Sequence, residues 1–117
     1  MKSAEKQKKW RAENIFQFRI LQAKYRATDK NISFNIDSDI LEKLWNKQKG
    51  CCFYSGIPME KIKTGIYAVS LDRINSDLGY EENNIVLCTN IINTMKNNLS
   101  TNQFYNIIEI IYKFKNK

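Results

Sequence analysis

Apolar residues recur along this chain with two periods, and the switches between them mark out the elements. Residues 3 to 27 contain no Gly or Pro and are dominated by good helix formers, so they predict a long helix. Ile15, Phe18, Leu21, Gln22 and Tyr25 recur on it at helical spacing, with Trp10 and Ile20 nearby. Lys6, Lys9, Arg11, Arg19, Lys24 and Arg26 fall largely off that stripe. Asp29-Lys30-Asn31 reads as a turn, and residues 32–36 (ISFNI) alternate like a short extended segment. Asp37 or Ser38 is placed to cap a helix through Lys47, with Ile40, Leu41, Leu44 and Trp45 as its buried face and Gly50 as its stop.

The second half changes character. Residues 52–59 (CFYSGIPM) predict a tight turn between short strands, and 60–66 a polar loop. Tyr67 to Ile74 reads as a strand with Ala68, Ser70 and Asp72 on one face and Val69, Leu71 and Arg73 on the other. A polar loop bending at Gly79 leads to a second strand at Ile85–Leu87 and a helix from Thr89 or Asn90 to about Asn97. Ser100 and Gln103 form a capping-box pattern. It opens a last helix in which Phe104, Ile107, Ile108 and Ile111 repeat as i, i+3, i+4, i+7. With no internal repeat, the order α, α, ββα, α predicts an α+β fold. One domain over 1–117 is expected: a basic helical part at 1–48, a ββα core at 51–98 and a terminal helix at 100–115.

A chain of 117 residues supports one modest core, and 43% hydrophobic with 26% charged residues is ordinary for a soluble protein. No apolar run reaches the length of a membrane span, and no apolar stretch follows the basic first residues as a secretory signal requires. A cytoplasmic protein without membrane association is therefore expected. The three cysteines, an odd number, argue against a disulfide framework. The net charge of +7 is unevenly spread: residues 1–30 hold nine Lys and Arg against three Asp and Glu, a net +6. Such a block suits a phosphate backbone, although a solvated helix face carries the same charge.

The stretch from Cys51 to Lys96 holds SLDRI at 70–74, GY at 79–80, Asn84 four residues after Tyr80, and NTMK at 93–96. In that order and spacing it resembles the ββα-metal core of His-Me finger (HNH) endonucleases, especially short phage-type versions with SLDR in place of the DH motif. There a CxxCG knuckle precedes the strand and a CxxCNxxK helix follows. Phe34-Asn35-Ile36, the helix at 38–47 and the Ser100-x-x-Gln103-Phe104 opening fit the family's wider setting. The resemblance implies a metal-dependent DNA endonuclease, with RNA as the alternative substrate, and its likeness to phage-type versions implies a phage-encoded protein acting in the cytoplasm of a host cell.

Carried over, the family's roles make Asp72 the strand ligand of a divalent cation (Mg or Mn) and Asn93 the helix residue completing the metal site. Asn84 ties the loop together and orients the base, and Lys96 contacts phosphate. Arg73 falls where the family's histidine base stands. An arginine is a poor base but can clamp a phosphate. Lys6, Lys9, Arg11, Arg19, Lys24 and Arg26 would grip the nucleic-acid backbone. Ser70 and Tyr80 are nearby, weaker candidates for activating water. Of the family's four zinc cysteines only Cys52 is in place, with Cys88 one position off, so no structural zinc is expected. Apolar packing of Cys52, Cys88 and Ile92 would hold the knuckle instead. The bland alternatives stay open. Asp72 can be a strand-end carboxylate paired with Arg73 or a lysine, Asn84 a turn residue, Lys96 a solvated charge, and Trp10, Tyr25 and Trp45 core residues. The alternative function is an inactive HNH-fold protein that binds DNA or regulates.

Overall fold

The first helix, α1, runs from Lys2 to Lys30 in the computed structural model, which describes residues 2–117 and side chains from Asn14 onward. It ends three residues later than its sequence pattern predicts, where Asn31 takes a left-handed conformation (φ 54°). The face it buries carries Ile15, Phe16, Arg19, Ala23 and Ala27. The expected stripe is therefore rotated: Leu21 and Tyr25 are 63% and 76% exposed. Alanines at 23 and 27 let the helix lie close to the rest of the molecule. Arg19 can sit at the seam because its guanidinium is saturated with acceptors, as described below.

α2 (Ser38–Gln48) starts where its cap predicts: the Asp37 carboxylate accepts from the Ile40 amide at 3.0 Å. It stops at Lys49 (φ 56°) and Gly50 (φ 70°). A Cβ at Gly50 would lie 3.1 Å from the Trp45 ring. Trp45 in turn packs on Phe16 of α1, ring centroids 5.8 Å apart, and so belongs to the α1–α2 seam. Residues 51–60 form a knuckle held by Cys52 N–H to Ile57 C=O (2.8 Å) and Met59 N–H to Gly50 C=O (2.8 Å). The expected short strands here are reduced to isolated bridges, Cys51 with Pro58 and Glu60 with Ala68.

β1 (Val69–Arg73) and β2 (Ile85–Thr89) form a two-stranded antiparallel sheet that pairs Ser70 with Cys88 and Asp72 with Val86. All five β2 residues are buried, and the strand runs straight into α3 (Asn90–Lys96). The hairpin loop is pulled against residues 33–35 by a bridge between Phe34 and Tyr80. Gly79 is required there, since a Cβ would come within 2.6 Å of the Ser33 carbonyl oxygen. α4 (Thr101–Lys115) opens with the expected capping box between Ser100 and Gln103. Of its predicted apolar stripe only Phe104 is buried; Ile107, Ile108 and Ile111 are exposed, because the body of the protein ends beneath the first turn.

A single apolar cluster joins α1, α2, the knuckle, the hairpin and Phe104, and Cys52 and Cys88 are part of it with Ile92 packed against it. Burial pushes the Cys88 thiol well above its ordinary pKa, which keeps it protonated. Among the described residues no helix is long and apolar enough to cross a membrane. The rotated face of α1 makes a contrast measurable by urea unfolding. Leu21→Ala is expected to cost less than about 0.5 kcal/mol, whereas Ala23→Leu is expected to cost about 1–3 kcal/mol by overpacking. The reverse ranking would restore the stripe read from the sequence.

Candidate functional site

Three parallel demands shape the region between β1, α3 and α1: strand alternation, helix periodicity and the burial of charge. Alternation sends Ser70 and Asp72 to the same face of β1, and α3 crosses that face. Asn93 reaches back from α3, its Nδ2 donating to Ser70 Oγ (2.7 Å) and to the Leu71 carbonyl (3.0 Å). With both donors so used, Asn93 Oδ1 is the atom left to accept. Asp72 Oδ2 accepts from Tyr54 Oη at 2.5 Å and pairs with Lys96 Nζ at 3.1 Å. Asp72 Oδ1 takes no hydrogen bond from the described residues.

Lys96 is therefore not the phosphate contact that its motif position implies. Its side chain is 1% exposed, lies over the Tyr54 ring at 5.4 Å and is spent on Asp72. A buried ammonium with no partner would cost several kcal/mol, so the pair stands or falls together. Burial first, and then the bond to Asp72, raises the Tyr54 phenol far above its ordinary pKa. It stays a donor at any neutral pH. Tyr54 was invisible as a site residue in the sequence, where the knuckle draws attention to its cysteines instead.

Asp72 and Asn93 line one open cleft of about 470 Å³. α1 contributes Arg19, Gln22, Arg26 and Lys30 at helical spacing, β1 contributes Ser70 and Arg73, and Lys63 faces in from the loop before it. Five cationic side chains thus surround one carboxylate that already has its counter-ion. The opposite wall is amide-rich: Asn90, Asn97 and Asn98 join Asn93. Lys30, Lys63 and these asparagines carry no motif signal, and only the fold brings them together.

The remaining expected residues divide by what they touch. Arg19 lines the cleft yet is 8% exposed. Its Nε donates to the Val69 carbonyl (2.7 Å), its Nη2 to those of Lys63 (2.7 Å) and Ile62 (3.2 Å), and its Nη1 to Gln22 Oε1 (2.9 Å). That set of bonds makes it a clamp between α1, β1 and the 62–63 loop, and leaves little of it for phosphate. Burial, then the nearby charge of Arg26, lowers its pKa. Arg26 is exposed, and its Nε donates to Tyr80 Oη at 3.1 Å. Lys24 is exposed but faces away from the cleft. Lys6, Lys9, Arg11 and Trp10 lie outside the described side chains.

Arg73 lies 5.2 Å over the Tyr80 ring, and its Nη1 donates to the Ser76 (2.8 Å) and Leu78 (2.9 Å) carbonyls. Half of this side chain holds the hairpin loop, while its Nε and Nη2 make no hydrogen bond with the described residues, and Arg73 lines the cleft. Asn84 is buried away from the cleft. It accepts from the Asn75 amide (2.9 Å) and donates to the Asn75 (3.1 Å) and Gly79 (2.9 Å) carbonyls. It cross-braces the loop and touches no reacting group.

The fold is similar to that of the HNH endonucleases. A solved structure of the rare-cutting HNH restriction endonuclease PacI superposes with a TM-score of 0.63 at 21% identity, covering 84% of this chain and 77% of that one. No family model and no curated protein matches the chain. The buried pair gives the first test of the site's construction. Lys96→Met is expected to destabilise by about 3–5 kcal/mol, because it strands the Asp72 charge. Adding Asp72→Asn to it should recover most of that loss. A single-variant cost below about 1 kcal/mol would mean the ammonium is not buried as described.

Proposed function

We propose that this protein is a metal-assisted endonuclease of the HNH type that hydrolyses phosphodiester bonds in DNA. The observation that carries this reading is the meeting, in one cleft on a ββα unit, of Asp72, Asn93 and an arc of cationic side chains. Arg26, Lys30, Lys63 and the free edge of Arg73 match a polyanionic backbone in charge. Asp72 Oδ1 and Asn93 Oδ1 are hard donors suited to a Mg²⁺-type ion. Two protein oxygens are few, but such ions are commonly completed by water and substrate phosphate. A cation held there would polarise the scissile phosphate and acidify a coordinated water.

The chain's own residues do the rest. Lys96 and Tyr54 fix Asp72 from behind, so its second oxygen is aimed without a conformational search. Asn93 ties α3 to β1, which keeps the two ligands at constant separation. Arg73 stands where the family has its histidine, and its remaining guanidinium edge suits charge that develops on phosphate oxygens. With no histidine in the chain, a cation held by Asp72 and Asn93 would supply the acidity that activates water. Ser70 Oγ and Tyr80 Oη line the same cleft and can relay a proton.

A second reading is favoured by one observation: the Lys96 ammonium 3.1 Å from Asp72 competes with a divalent cation for the same carboxylate. On that reading the cleft binds nucleic acid without cutting it. Incubation of supercoiled plasmid with Mg²⁺ or Mn²⁺ separates the two. Nicking is expected from the native chain and should fall at least about 100-fold in Asn93→Ala, whose folding is checked by circular dichroism. A gel shift that weakens with salt, without nicking, would support the binder. In either case the Arg26→Ala/Lys30→Ala variant should flatten the plot of log affinity against log salt by about 1.8. An unchanged slope would remove the cleft from the interface. RNA of the same sequence, run in parallel, decides the nucleic-acid class.

A further inference from the structure

We propose that Asn97 reads the base edges of DNA held in the cleft and, with Asn90 and Asn98, makes the protein selective for adenine beside the bound phosphates. The inference rests on the reading of the cleft as a nucleic-acid site and deepens it.

Asn97 stands in a conformation that its own side chain opposes. The Leu99 amide donates to the Lys96 carbonyl at 3.0 Å and closes a four-residue turn directly after α3. At the first central position of that turn Asn97 has φ 50° and ψ −124°. These are the angles of a type II′ turn, where glycine is the usual occupant. Asparagine tolerates the left-handed helical region, but there ψ is about +47°, far from the value here. The flanks enforce the strain: Lys96 is buried on Asp72, and Leu99 packs against the apolar cluster. As a cap alone, glycine would serve better at this position. A strained backbone carrying a side chain that the turn does not need points to a use for that side chain.

What the use is follows from where Asn97 stands. Asn90, Asn93, Thr94 and Asn97 are spaced i, i+3, i+4, i+7 and all line the cleft, with Asn98 beside them. Asn93 is spent on β1. Asn90, Asn97 and Asn98 are exposed, and their carboxamides make no hydrogen bond among the described residues. The other wall holds Arg26, Lys30, Lys63 and Arg73. A polyanionic strand settles its phosphates on that cationic wall, where each contact is charge-assisted. The uncharged wall is left to the bases. A carboxamide carries a donor and an acceptor side by side, which match adenine N7 and N6 together. In the same groove guanine offers two acceptors and cytosine a lone donor, so neither satisfies both ends of the amide.

Selection from a pool of DNA duplexes with randomised positions tests this, the retained and any nicked molecules being sequenced. The native chain is expected to enrich adenine roughly tenfold or more at one position at least. Asn97→Gly should lose that enrichment while melting no lower than the native chain, since glycine relieves the turn. Asn97→Asp keeps the shape but can only accept, and should lose the enrichment too. Asn106→Ala, at an exposed position of α4 outside the cleft, should keep it. Retention without base preference, or an adenine preference that survives both Asn97 variants, would overturn the base reading and leave the nuclease and binding readings of the cleft intact. A native chain that retains no duplex at all would overturn both.

Discussion

One buried ion pair organises the centre of this molecule. Asp72 on β1, Lys96 at the end of α3 and Tyr54 in the knuckle are joined through a single carboxylate oxygen. None of the three could be buried without the others: the ammonium needs a counter-ion, and the carboxylate needs donors. The contact therefore locks strand, helix and knuckle in one relative position. Around it, Tyr54 gathers Phe104 and Tyr105, so the root of α4 is fixed by the same group. The carboxylate that lines the cleft is thus also a structural keystone, with Oδ2 committed to Lys96 and Tyr54 and Oδ1 taking no hydrogen bond from the described residues.

That division explains why the cleft can be rich in positive charge beside an aspartate without collapsing onto it. Asp72 is already neutralised from behind, so Arg26, Lys30, Lys63 and Arg73 are not drawn into pairing with it. Their field is left for an anion from outside. Arg19 would add to that field, but its hydrogen bonds to the Val69, Ile62 and Lys63 carbonyls commit it to holding α1 against the sheet. The basic first helix therefore plays two roles at neighbouring turns, anchoring at Arg19 and presenting charge at Arg26 and Lys30.

Much of this was legible in the sequence where the signal is local. The caps at Asp37 and Ser100, the breaks at Gly50 and Gly79, and the ββα order follow from short-range chemistry, and the structure has each of them. The motif spacing also brought Asp72 and Asn93 to one cleft. What could not be read was which way a residue points when tertiary contacts decide it. Leu21 and Tyr25 looked like the buried face of α1 because they are large and apolar; Ala23 and Ala27 took that place because close approach to the sheet rewards small side chains. Lys96 looked like a surface cation because nothing in its own helix announces the carboxylate that buries it. Lys30, Lys63 and the asparagine wall come from separate stretches that no linear pattern connects. The stripe on α4 is apolar as its spacing indicates, but beyond Phe104 the body of the protein does not reach it, so Ile107, Ile108 and Ile111 are exposed.

The central claim is that Asp72 and Asn93 present two oxygens to one cation in the cleft between β1 and α3. The most direct measurement is paramagnetic broadening of the backbone amide spectrum by substoichiometric Mn²⁺, recorded with a short DNA duplex present. The account predicts selective loss of signals from residues 70–73 and 90–97, abolished when Asn93 is replaced by Ala. Broadening centred elsewhere in the molecule, or broadening that survives the Asn93 replacement, would contradict it.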